Sequence, residues 1–211
     1  IIGRGKVAIL DPGPDDPVHR AALIDAVKGE SVTHILVSHT HRDHSPGARA
    51  LAVATGAKIY AQGPHVSARK AWEGEAVGME AGADLDFAPD VTLRDGDVVE
   101  GAGWALEAVA TPGHTVNHLC FAWGEKNALF SADHVMGWST TIVAPPDGAM
   151  SDYMASLHKL TRRNEDIFFP GHGPHILEAQ RFTRFYIAHR EAREASILHR
   201  LSKGEADIPT L

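Results

Sequence analysis

Six residues constrain this chain more than any others. His39-Thr40-His41-Arg42-Asp43-His44 packs three imidazoles and a carboxylate directly behind the apolar run Ile35-Leu36-Val37. Strand ends are where an α/β sheet presents its functional loops. Imidazole and carboxylate donors suit zinc and other borderline divalent ions. In a turn, His39 and His41 can point to one side while Asp43 and His44 swing to the other, an arrangement that serves two neighbouring ions rather than one. Such a run would waste burial and turn chemistry if it held no ligand.

Three further donors sit where predicted strands end. His114 lies in Thr111-Pro112-Gly113-His114-Thr115, Asp133 in Phe130-Ser131-Ala132-Asp133-His134, and His172 in Phe169-Pro170-Gly171-His172-Gly173-Pro174. The small residues around them let backbone and ligand approach an ion closely. A lone histidine beside Gly or Pro is more often a turn residue. With the 39–44 cluster present, these three read as further ligands.

The pattern around the donors alternates. Lys6 to Leu10 reads as a strand ending in Asp11-Pro12-Gly13, and Asp16-Pro17 as a helix start closed by Gly29. A second strand, Ile35-Leu36-Val37, a helix from Pro46 to Thr55 and a strand Lys58-Ile59-Tyr60 follow. Residues 72–90 show no clear period and read as an exposed loop, with 64–90 as a candidate lid. Trp104–Ala110, Leu119–Trp123 and Ala128–Ser131 are predicted strands, and Ser151 or Asp152 caps a helix through Leu160. Ile167-Phe168-Phe169 is the last strand, and a long helix runs from about Ile176 to Lys203. The fold class is therefore α/β (α+β), with two mixed sheets packed together and helices outside.

Composition narrows the partners. The chain has 211 residues, 44% hydrophobic, with a formal net charge of -7. That size allows one large domain with a sizeable core. An acidic total does not favour broad attraction to nucleic acid or anionic lipid. No segment reaches the roughly 18 apolar residues that would span a bilayer, so no membrane partner is expected. The single cysteine, Cys120, sits in a predicted strand and reads as a small buried residue. One cysteine fits a reducing compartment, and the localisation expected by default is cytoplasmic.

The motifs, in this order, resemble the metallo-beta-lactamase superfamily over about residues 7–175. The resemblance implies an αββα sandwich with two metal ions, zinc by preference, at one edge. It implies a first ion on His39, His41 and His114, and a second on Asp43, His44 and His172, with Asp133 bridging. Asp11, in Leu10-Asp11-Pro12-Gly13, matches the family's first motif and is expected to support a ligand rather than ligate. The implied enzyme is a binuclear zinc-dependent hydrolase in which two ions activate a hydroxide and Asp43 takes part in proton transfer. His134 is a candidate neighbour of a ligand. His118 and His175 are candidates to touch substrate. His19, His34, His65, His158, His189 and His199 read as surface or helix residues, and Ser139, Thr140 and Thr141 as pocket residues.

Within the superfamily, Thr111 to His118, Ser131-Ala132-Asp133 through Ser139-Thr140-Thr141, and Tyr153 through Leu157 with the last helix are similar to the beta-lactamase-like endoribonucleases. That branch implies a single-stranded RNA substrate. Arginines 162, 163, 181, 184, 190 and 193 put positive charge on the two C-terminal helices, where they serve such a substrate or simply solvate helix faces. It also implies residues 1–204 as the metallo-beta-lactamase domain and 205–211 as the start of a C-terminal winged-helix segment. Against it stand the acidic loop of residues 73–100 and the net negative charge. The alternative is hydrolysis of a small carbonyl substrate: thioester, lactone, ester or beta-lactam. A redox diiron enzyme and a non-catalytic metal-binding or RNA-binding module are remoter readings. A homodimer stays open.

Overall fold

The computed structural model describes residues 1–70, 72 and 82–204. Strands β1 (Ile2–Arg4), β2 (Lys6–Leu10), β3 (Ser31–Leu36), β4 (Lys58–Ala61) and β5 (Val91–Thr92) form one sheet in sequence order. β1 pairs antiparallel with β2, and the other pairs are parallel. Strands β6 (Val98–Gly101), β7 (Trp104–Ala110), β8 (Leu119–Trp123), β9 (Ala128–Ala132) and β10 (Ile167–Pro170) form the second sheet in the order β10-β9-β8-β7-β6. Only β9 and β10 run parallel there. Both sheets are mixed, as expected.

Side-chain alternation sorts each strand between two cores. In β2 and β3, Val7, Ile9, Ile35 and then Val37 pack under helix α2 (Gly47–Thr55), through Ala48 and Leu51. Ala8 and Leu36 face the other sheet. In β7 and β8, Leu106, Ala108, Leu119 and Phe121 fill the space between the sheets. Val109 and Cys120 turn outward to meet Tyr153 and Leu157 of α3 (Met150–Leu160) and Tyr186 of α4 (Ala179–Leu201). The result is four layers: helix, sheet, sheet, helix. Each fully buried Leu, Ile or Phe among them contributes about 1.5–3 kcal/mol relative to exposure.

Local chemistry sets the helix ends. The Asp16 side chain accepts from the backbone N–H of Val18 at 2.7 Å and of His19 at 2.9 Å, and it starts α1 (Pro17–Ala26). Gly56, at φ 75°, ends α2. The last helix begins at Ala179 rather than about Ile176. Ile176 is bridged to Phe168, and Glu178 holds φ 55°, so the chain there is still finishing the sheet. Residues 71 and 73–81, the middle of the expected lid, lie outside the described residues, as do 205–211.

Candidate metal centre

Four segments leaving β3, β7, β9 and β10 converge at one edge of the sandwich, and each carries expected ligands. Asp11, just past β2, organises the first. Its φ of 46° is in the left-handed region, a strained choice for a side-chain-bearing residue. From there Oδ1 accepts the Ser38 N–H at 2.7 Å, and Oδ2 accepts the Ser38 hydroxyl at 2.7 Å and His44 Nδ1–H at 3.0 Å. The supporting role implied for Asp11 is the one its contacts describe. Ala132, at φ 44°, turns the chain sharply after β9 and presents Asp133.

The seven expected ligands fall into two groups. His39, His41 and His114 form one, and Asp43, His44, Asp133 and His172 the other, with ligand atoms inside each group within 4.8 Å of one another. In the first, His39 Nε2 and His41 Nδ1 are 3.1 Å apart. In the second, His172 Nε2 lies 2.9 Å from Asp43 Oδ2, and His44 Nε2 lies 3.5 Å from Asp43 Oδ2 and 3.4 Å from Asp133 Oδ1. Asp133 reaches both groups, since its Oδ2 is 3.7 Å from His114 Nε2 and 3.5 Å from His172 Nε2. Donors at 2.0–2.1 Å from a tetrahedral ion stand about 3.3 Å apart, and these separations match that spacing.

Hydrogen bonding shows which atoms are kept free. Ser38 Oγ takes His39 Nδ1–H at 3.0 Å, Asp11 takes His44 Nδ1–H, and the Ile142 carbonyl takes His114 Nδ1–H at 2.6 Å. Each Nε2 is thereby turned toward the cluster. His44 Nε2, His114 Nε2 and Asp133 Oδ1 are buried with no hydrogen-bond partner. Orphaned buried acceptors in one place are costly unless something electropositive fills the gap. Imidazole and carboxylate donors suit a divalent cation, and the residues fit the group.

Electrostatics agree. Burial first, then the neighbouring imidazoles, holds His39 well below its ordinary range. Burial first, then His41, lowers His114 to about 4. Both are neutral and ready to donate a lone pair. Burial opposes charge on His44, but the Asp11, Asp133 and Asp43 carboxylates around its ring outweigh it and raise His44 well above 6.5. A proton there occupies the place where a metal cation would sit.

A cleft of about 350 Å³ opens over both groups, lined by His41, Asp43, His114, Asp133 and His172, and by Met136, Trp138, Ser139 and Ile142. Trp138 is 71% exposed and stacks on the His172 ring at 5.9 Å and 4°. Ile142 is 58% exposed. The loop bearing them is pinned by Tyr186, whose hydroxyl donates to the Met136 carbonyl at 2.7 Å and also bonds the Ser139 carbonyl, and by Arg190, which bonds the Thr141 carbonyl. Of the expected pocket residues, Ser139 lines the cleft. Thr141 is buried, and its hydroxyl donates to the Asp133 carbonyl at 2.7 Å.

Several histidines depart from expectation. His65 is not a surface residue: its side chain is 4% exposed, between Thr40 and Asp147. Asp147, buried and 3.9 Å from His41, was not anticipated at all. His34 packs between Tyr60 and Trp104 at 5.0 and 5.2 Å. His118 is fully buried behind His39 with Nδ1 on Thr111 Oγ1, so it cannot meet substrate. His134 packs on Tyr153 and His118, and its two nitrogens have no partner. His175 is exposed beside Phe169, away from the cleft.

Two adjoining groups of imidazole and carboxylate donors at one edge of a four-layer αββα sandwich define a class of fold built to present metal ligands from strand ends. The chain belongs to the metallo-beta-lactamase superfamily, whose family model matches residues 1–172. Among curated relatives it is 29% identical over 209 residues to a lactamase-like protein, adaB, of Aspergillus niger, covering 98% of this chain and 59% of that protein. It is 30% identical over 203 residues to the thioesterase pkgB of Emericella nidulans, covering 93% of this chain and 52% of that one. The chain thus spans little more than half the length of these relatives. The crystal structure of a metallo-beta-lactamase family protein from Thermus thermophilus matches in fold with a TM-score of 0.75 at 24% identity, over 95% of this chain and 76% of that one.

Proposed function

We propose that this domain is a binuclear metal-dependent hydrolase of small, uncharged carbonyl substrates, a thioester or ester first among them. The observation that carries the reading is the cleft wall. Met136, Trp138 and Ile142 are apolar, and among the described residues lining the cleft none is Lys or Arg. A phosphodiester substrate favours cations along its path, whereas an acyl group favours a dry, apolar wall. Two arginines that raised the RNA reading are engaged internally: Arg163 with Glu107 and Glu165, and Arg190 with the Thr141 carbonyl. A thioesterase among the relatives is consistent with carbonyl hydrolysis.

In this reading His39, His41 and His114 hold one divalent ion, Asp43, His44 and His172 hold the other, and Asp133 reaches both. Zinc is the ion the donor set suits best. Bound there, two such ions supply Lewis acidity, lowering the pKa of water from about 15.7 toward about 7 and polarising the carbonyl. The protein's own groups do the rest. Trp138 and Ile142 seat the acyl chain and exclude bulk water. Asp43, with its side chain 55% exposed at the cleft, takes the proton of the attacking water. Water oxygen bonds to the carbonyl carbon, the bond to sulfur or oxygen breaks, and the leaving thiolate or alkoxide receives a proton.

The test is turnover of an aryl-acyl thioester and of a labelled single-stranded RNA by zinc-loaded protein, with Asp43→Asn as control. Thioester hydrolysis that the substitution abolishes, with RNA intact, is the expected result. RNA cleavage lost in Asp43→Asn, with the thioester untouched, would overturn the carbonyl reading in favour of the endoribonuclease branch.

A further inference from the structure

Three of the four buried histidines in the two groups have an acceptor on the ring nitrogen that faces away from the cluster. His41 is the fourth. Its Nδ1 is the atom 3.1 Å from His39 Nε2, and its Nε2 is buried with no hydrogen-bond partner. The group facing that Nε2 is Asp147, whose Oδ2 is 3.9 Å away and equally buried and unpartnered.

A directional hydrogen-bond chain fixes how Asp147 can act. The backbone carbonyls of Gly63 and Pro64 can only accept, and both take protons from Asn117 Nδ2, at 3.2 and 3.0 Å. The Asn117 amide therefore cannot flip. The same Nδ2 shares its two protons with Thr40 Oγ1 as well, at 3.0 Å; the Thr40 hydroxyl has two acceptors, Asn117 Oδ1 at 3.3 Å and His65 Nδ1 at 2.9 Å, and the nearer is His65. His65 then carries its proton on Nε2 and donates it to Asp147 Oδ1 at 3.2 Å. Asp147 Oδ2 remains as a pure acceptor aimed at His41. An acceptor there favours the His41 tautomer with hydrogen on Nε2 and a bare Nδ1 turned to the first group.

We infer that Asp147 is a positioning residue that sets the tautomer of His41 through a relay beginning at the Gly63 and Pro64 carbonyls. The inference rests on the metal-binding reading above, and it assigns the relay to one of the two ions only. Partners of this kind are typically worth about 10–100-fold in metal affinity.

The test uses the full chain and cobalt(II) as the probe, titrated against a competing chelator, with the exchangeable imidazole protons of the cobalt-loaded protein followed by NMR. Asp147→Asn is expected to weaken one ion by about 10–100-fold, leave the other unchanged, and remove or shift one exchangeable imidazole resonance. His65→Phe should weaken the same ion less, and it decides the matter should Asp147→Asn fail to fold. Unchanged affinity for both ions, or equal weakening of both, overturns the relay while leaving the metal reading intact. No cobalt uptake by the unsubstituted protein overturns both.

Discussion

His114 donates its Nδ1–H to the carbonyl of Ile142 at 2.6 Å, so one bond ties a member of the first histidine group to the apolar wall of the cleft. The distance between chemistry and specificity in this site is one side chain. Changes on the wall should therefore separate into those that touch binding and those that disturb His114.

Trp138 belongs to the first kind. It stacks on His172 through its ring and leaves most of its surface open. Trp138→Ala is expected to raise KM for an aryl or long-chain acyl thioester by about tenfold, a loss of about 1.4 kcal/mol, with kcat within about twofold. An acetyl thioester should show little change. Steady-state kinetics on the two substrates checks this, and an equal loss on both contradicts it.

Two glycines should respond in opposite ways. A Cβ at Gly171 would stand 2.5 Å from Asp133 Oδ1 and 2.9 Å from His44 Cε1, both side-chain atoms of the second group. Gly171→Ala should cost metal binding there and little else. A Cβ at Gly113 would stand 2.3 Å from the Tyr153 Cα, and that glycine holds φ 139°. Gly113→Ala should cost about 3 kcal/mol or more of stability, because backbone of α3 must move. Thermal melts beside metal titrations distinguish the two. Similar melting losses in both variants would refute the distinction.

The pair Arg163–Glu107 sets a pH dependence of stability away from the metal site. Arg163 bonds both Glu107 oxygens, at 2.9 and 2.8 Å, and holds that carboxyl below its ordinary value of 4.5. A depressed folded carboxyl stabilises above the unfolded pKa and loses that contribution as pH falls through the folded one. Glu107→Gln should therefore melt below the unsubstituted protein by a constant margin above pH 4.5, and the margin should close in acid. The pair is partly exposed, so the margin is small and salt-sensitive. A margin that widens as pH falls contradicts the assignment.

The two side-chain groups were legible because their signal is local. Four donors sit within six residues, and the other three each stand beside glycine or proline at a strand end, where sequence pattern and position agree. The strands of the two sheets were legible from their apolar runs, and the turn to β pattern at Val91 marks where β5 begins, but β1 was not legible, since Gly3 and Arg4 break its pattern. Asp147 and His65 could not be read at all. Each is an isolated polar residue in a loop, and only the folded chain brings His65 to Thr40 across 25 positions and to Asp147 across 82. Trp138 carried no signal either, because a single exposed aromatic is ordinary until the cleft beneath it is known.

The central claim is that the two side-chain groups joined by Asp133 hold metal. The most direct measurement is the metal content of protein purified without chelator, by elemental analysis, for the unsubstituted chain and Asp133→Ala. About two divalent ions per chain, falling sharply in the variant while the fold persists, is the predicted result. Well under one ion per chain, or a content that Asp133→Ala leaves unchanged, would contradict it.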